Sequence, residues 1–127
     1  MVEEIVMKQE DKELLLKDIC ARLPYGVFCN IGLDYPLQLQ SLFVDKLDGI
    51  LLDFYKDGKD YQVYLSEVKP YLFPLSSMTK GQKYEYQYIT ERWMYDPAYS
   101  ISDSTDWLNA HHFDYRGLIE KGVAIDA

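Results

Sequence analysis

Between Tyr25 and Leu65 the chain reads as extended segments, alternating apolar and polar residues from Tyr25 to Gly32, and is broken twice by an Asp-Gly pair, at Asp48-Gly49 and Asp57-Gly58. Alternation places successive side chains on opposite faces of a strand, and Asp-Gly supplies the positive φ angles of a tight hairpin. The stretch therefore predicts four strands. They are Tyr25 to Gly32, with Val27, Cys29 and Ile31 on one side, then Leu37 to Lys46, Ile50 to Lys56 and Tyr61 to Leu65. Short turns join only antiparallel neighbours, so the expected sheet is a meander. One face of such a sheet can pack on a helix while the other is left to tyrosines and charges.

The flanking segments supply helices. From Glu10 or Asp11, residues Leu15, Leu16, Ile19, Cys20 and Leu23 form one apolar stripe, with Asp11 placed to cap the first turn and Pro24 to end the helix. Residues 1 to 8 read as a short extended lead-in or a frayed end. Lys69-Pro70-Tyr71-Leu72-Phe73-Pro74-Leu75 carries two prolines and is expected to be an ordered connection, neither a central strand nor a helix interior. Thr79 and Gln82 fit a capping box. Lys83 to Ile89 alternates as a strand would, yet the cap and the continuation through Thr90-Glu91-Arg92 favour a helix. That helix sets Tyr84, Tyr88 and Met94 near one face and Glu85, Ile89 and Trp93 on a neighbouring one. Asp96-Pro97 breaks it. A last helix starts near Ser100, capped by Ser102 or Asp103, with Trp107, Leu108 and His111 on one face; Asp114 caps a further short helix that stops before Gly122. The expected fold is α+β in one domain, residues 1–127, with an N-terminal helix, a four-stranded antiparallel meander and two or three C-terminal helices.

Charge narrows the function classes. A formal net charge of −8, with the acids spread along the chain, disfavours direct binding to nucleic acid or to an anionic membrane, both of which depend on Lys and Arg. The acidic N-terminus is unlike a secretory signal and no run is long and apolar enough to span a bilayer, so a cytoplasmic protein is expected. Cys20 and Cys29 lie in apolar patterns without a second pair, and are expected to be buried free thiols rather than zinc ligands. No phosphate loop, Gly-x-Ser-x-Gly elbow or His-Glu-x-x-His pair occurs, and no cofactor or metal is expected.

Three segments together carry a resemblance. Asp18-Ile19-Cys20-Ala21-Arg22-Leu23-Pro24-Tyr25-Gly26-Val27, the stretch Val68 to Thr79 and the stretch Asp106 to Gly122 look like the signature segments of small uncharacterised proteins found in gut Bacteroidetes, their phages and other mobile elements. The resemblance implies a phage or mobile-element setting and brings no activity with it. In those relatives the segment after Ser-Ser-Met-Thr is often rich in Glu and Lys, whereas here it is a run of tyrosines.

The densest collection of chemical groups is the last of these segments. Adjacent helical residues point about 100° apart, so His111 and His112 are poorly placed to share one metal ion. Either could act as an acid or base with Asp106 or Asp114, in a small hydrolase-like enzyme. The structural reading has Trp107 and Leu108 filling the core, Asp114 capping, and both histidines bonding backbone groups. Arg116 beside Tyr115 can clamp an internal carboxylate or meet an acidic partner. Twelve tyrosines suit half-exposed sheet faces and recognition surfaces. The favoured expectation is a non-enzymatic protein-binding module whose partner is contacted through Arg116, Tyr115, Tyr64 and Tyr86. A third reading is an acidic nucleic-acid mimic built on Asp45, Asp48, Asp53, Asp57 and Asp60.

Overall fold

A computed structural model describes residues 8–45, 49–92, 94–96, 98 and 101–127. The expected lead-in before Lys8, Asp48 of the first turn, Trp93, the break at Pro97 and the helix start at Ser100 lie outside the described residues, as does the side chain of Asp45.

The first helix, α1, runs from Gln9 to Arg22. Lys8 occupies its N-cap with no side-chain cap, so Asp11 lies inside the first turn instead of capping it, and pairs with Lys121 at 3.6 Å. Pro24 ends the helix as expected, in a short 3-10 turn closed by Gly26 at φ 75°. The strands β1 (Phe28–Asn30), β2 (Leu37–Asp45), β3 (Gly49–Lys56) and β4 (Lys59–Tyr64) form the antiparallel meander, each beside the next. Asp57 and Gly58 both adopt positive φ, the geometry the β3–β4 turn demands.

The sheet continues beyond these four. Lys69–Pro74 forms a fifth strand, β5, antiparallel to β1, and the two-residue strands β6 (Phe113–Asp114) and β7 (Ile125–Asp126) lie parallel to it. The expectation that two prolines exclude a strand here is corrected. Each neighbour pairs with β5 over only two residues, so the missing N–H groups remove few ladder bonds. The capping box is formed: Gln82 N–H donates to Thr79 Oγ1 at 3.1 Å and Thr79 N–H to Gln82 Oε1 at 2.9 Å. It opens α2, Lys80–Arg92, which settles the ambiguous tyrosine run as helix. The last helix, α3, spans Ile101–Ala110, so Ser102 and Asp103 fall within its first turn.

Burial follows the alternation. Leu37, Leu39, Leu52 and Phe54 face inward and share one cluster with Leu15 and Ile19 of α1. Each such side chain removed from water contributes roughly 1.5–3 kcal/mol. A smaller cluster of Trp107, Leu108 and Phe113 forms under α2, with Met78, Tyr86 and Ile89 against it. Cys29 is buried but Cys20 is exposed, correcting the expectation of two buried thiols. The buried face of α1 runs through Leu15, Asp18, Ile19 and Arg22, and Cys20 lies one position round from it. No described helix is long and apolar enough to cross a membrane.

Candidate functional site

The C-terminal stretch closes on α1 through charges that the apolar reading of that helix passed over. Asp18 and Arg22 stand four residues apart on the buried face of α1, and both are fully buried. Arg22 Nε donates to Asp18 Oδ2 at 2.8 Å, and Arg116 Nη1 donates to Asp18 Oδ1 at 2.6 Å. Each carboxylate oxygen thus has its own guanidinium. Of the two readings of Arg116, the internal clamp is formed, with its carboxylate from α1, so this guanidinium is engaged within the fold.

Arg22 also completes α3. The last carbonyls of a helix lack intrahelical partners. Here Trp107 C=O accepts from His111 N–H at 3.1 Å and Asn109 C=O from His112 N–H at 3.1 Å. Leu108 C=O is reached by Arg22 Nη1 at 3.4 Å, and Phe113 C=O, just past the helix, by Nη2 at 2.6 Å. A cation at a helix C-terminus is favourable in its own right. One side chain therefore bonds α1, the end of α3 and β6.

The turn between α3 and β6 depends on His112, whose φ of 59° is left-handed. A non-glycine residue there costs on the order of 1–2 kcal/mol. Its C=O accepts from Phe73 N–H at 2.9 Å, which docks the turn on β5. Its Nδ1 is buried without a hydrogen-bond partner. Burial, followed by the nearby Arg22 guanidinium, pushes the imidazole below the usual histidine range, opposed by a backbone bond at Tyr25 and by Asp18. His111 differs. Its Nδ1 lies 2.9 Å from Trp107 C=O, its ring stacks on Trp107 at 4.1 Å between centroids, and Phe113 flanks Trp107 at 5.7 Å.

Asp114 caps, as expected, but what it caps is one turn rather than a helix. Its two oxygens accept from Leu118 N–H at 3.0 Å and Ile119 N–H at 2.9 Å. The turn ends in a Schellman arrangement: Val123 N–H reaches Leu118 C=O, Gly122 N–H reaches Ile119 C=O, and Gly122 has φ 75°. The expected second helix does not propagate, because Gly117 at φ 75° and Gly122 at φ 75° bound only a few residues. Tyr115 is held between the arginines, with Arg116 4.4 Å and Arg22 5.7 Å from its ring, and its hydroxyl donates to Asn109 Oδ1 at 2.9 Å.

The sequence-derived candidates therefore separate. His111, His112, Asp114, Tyr115 and Arg116 meet in one clasp. Tyr86 packs on Trp107 at 5.6 Å, and Tyr64 lies apart on the sheet, exposed and beside Leu51. Asp106 is exposed on α3, while Asp114 spends both oxygens on backbone. Among the described residues no group of three His, Cys, Asp or Glu side chains could hold a metal ion. Of the acids in the nucleic-acid-mimic reading, Asp53 is half-buried on β3, and Asp57 and Asp60 are exposed at and after the turn. Asp18 and Arg22 escaped the sequence reading, although their spacing beside Leu15 and Ile19 was a usable signal: opposite charges at i and i+4 inside an apolar stripe.

Comparison with protein-family models, with curated proteins and with solved structures finds no match for this chain.

Proposed function

We propose that this is a non-enzymatic protein-binding module of the cytoplasm, in a phage or mobile-element setting, that meets a protein partner through tyrosines on its surface. The observation that carries the reading is α2. None of its described side chains is buried, and Tyr84 and Tyr88, one turn apart, are 67% and 51% exposed. Met94 and Tyr95, just beyond its end, are 63% and 80% exposed. Tyrosine offers large contact area at low conformational cost, and clustered apolar area left in water marks an interaction surface. Tyr115 and Arg116 are occupied internally, so the contact surface is assigned to α2 and, on the sheet, to Tyr64. The phage or mobile-element setting rests on the family resemblance alone; its three segments meet in the clasp, where Arg22 bonds Leu108 and Phe113, and Phe73 bonds His112.

The test is affinity capture from the organism that carries the gene, followed by titration of the purified partner against the unsubstituted protein and a Tyr84→Ser/Tyr88→Ser variant. The expected result is a reproducible partner whose affinity falls about 10-fold or more in the variant, as for loss of aromatic anchors. A partner that binds both proteins equally, or none on repeated capture, removes the proposal.

A further inference from the structure

The sheet ends on β4, which among the described residues pairs with β3 alone. Lys56 and Lys59 flank the Asp57-Gly58 turn and face each other in the register. A two-residue turn closes with a bond between its flanking residues, so the ladder to β3 falls at Lys59, Tyr61 and Val63. The main-chain groups of Asp60 and Gln62 consequently point to the outer edge. Edge strands are ordinarily guarded by charge, proline or a bulge. Here the charges stop at Asp60, Tyr61-Gln62-Val63-Tyr64 carries none, and the bulge of the hairpin lies on β2 between Leu39 and Ser41.

The inner face of β4 is also incomplete. Tyr61 and Val63 pack against the main core yet are only half-buried. They end two cross-strand rows, Leu39–Phe54–Tyr61 and Leu42–Leu52–Val63.

We infer that β4 is the interface of a two-fold homodimer, in which the β4 strands of two copies pair antiparallel about Gln62 and join two sheets into one. In this register Gln62 faces its own counterpart, and the two exchange main-chain N–H···O=C bonds. Tyr61 faces Val63 of the second copy. Each core row then runs on into the other: Leu42, Leu52 and Val63 of one copy lead to Tyr61, Phe54 and Leu39 of the second. Asp60 faces Tyr64, whereas a register centred on Asp60 would oppose two carboxylates. The side-chain pattern is therefore self-complementary at Asp60 and Gln62, where among the described residues the outer main chain meets no partner strand. The net charge of −8 on each copy opposes association, so salt strengthens the dimer, the reverse of an interface held by ion pairs. None of the α2 tyrosines is used, so this interface is separable from the α2 part of the proposed partner surface and shares only Tyr64 with it.

Sedimentation equilibrium up to about 1 mM protein, in roughly 0.15 M and 1 M sodium chloride, reads the association directly. The expected mass rises from 14.9 kDa towards twice that value, at lower protein concentration in the higher salt. Gln62→Pro removes an outward N–H without costing a β3 bond, and Gln62→Glu sets like charges face to face and adds to the net repulsion. Each should weaken dimerisation about 10-fold or more, with Cys29 still protected from thiol reagents, whereas Tyr84→Ser/Tyr88→Ser should leave it unchanged. The inference is overturned if the protein stays monomeric in both salts, if the dimer survives Gln62→Pro or, in the lower salt, Gln62→Glu, or if it is lost in the α2 variant.

Discussion

Replacing Arg22 with Met keeps an unbranched apolar stem, about as long as the aliphatic part of arginine, and removes the guanidinium. Three bonds go with it: to the Asp18 carboxylate at 2.8 Å and to the carbonyls of Phe113 and Leu108 at 2.6 and 3.4 Å. Breaking a buried ion pair from one side costs about 3–5 kcal/mol. The short bond to Phe113, a residue 2% exposed, adds a carbonyl left without its donor, about 1–3 kcal/mol, while the long bond to Leu108 adds little. Arg116 stays on Asp18 at 2.6 Å and offsets part of the charge penalty. A net loss of about 3–5 kcal/mol is expected, a large share of the roughly 5–15 kcal/mol that holds a domain together. The melting temperature should fall by about 10–20 °C for a chain of this size. Urea titration followed by tryptophan fluorescence and far-UV circular dichroism gives the free energy. The triple variant Asp18→Leu/Arg22→Met/Arg116→Met sharpens the test. Replacing a buried ion triad by apolar side chains is often neutral or stabilising, but here Arg22 also bonds two carbonyls, so the triple variant should remain less stable than the unsubstituted protein. A loss below about 1 kcal/mol in Arg22→Met, or a triple variant of raised stability, would refute the assignment of Arg22 as the clasp.

The remaining tests concern titration and thiol access. His112 titrates below its ordinary value in the folded chain, so as pH falls through about 6.5 the unfolded state binds a proton that the folded state refuses. Stability should be highest above that pH and decline until the depressed folded value is reached. Urea midpoints between pH 8 and pH 5 measure the decline, and His112→Asn, which tolerates the left-handed backbone, should flatten it about pH 6; an unchanged slope in the variant counts against the reasoning. Cys20 is exposed, whereas Cys29 is buried with its thiol pushed up to about 12 by burial and, secondarily, by Asp18. A chromogenic disulfide reagent should therefore modify one thiol in the folded protein and the second only at the rate of unfolding; two equal phases would contradict the burial of Cys29.

What could be read from the sequence divides by range of interaction. The Thr79–Gln82 box, the Asp57-Gly58 turn, the stop at Pro24 and the left-handed Gly122 are set by neighbours within a few residues, and each forms as its local chemistry dictates. Strand β5 is not legible locally because its partners arrive from β1 and from Phe113 onward, and a rule about proline in long ladders does not transfer to two-residue pairings. The candidate site divides the same way. Asp114 could be recognised as a cap because its donors, Leu118 and Ile119, follow within a turn or so. The partner of Arg116 lies 98 positions away and Arg22 reaches across 91 to Phe113, so only their residue types were visible. Hydrophobic periodicity hid them further, since a stripe read for leucines gives no weight to a charge inside it. Yet Asp18 and Arg22 interrupt that stripe together, at a spacing that lets each neutralise the other before the helix packs. Buried opposite charges at i and i+4 are tolerable only if the rest of the fold completes their bonding. Their presence on the inner face of α1 thus required donors and carbonyls from elsewhere, and the Leu108 to Arg116 stretch is where the chain supplies them.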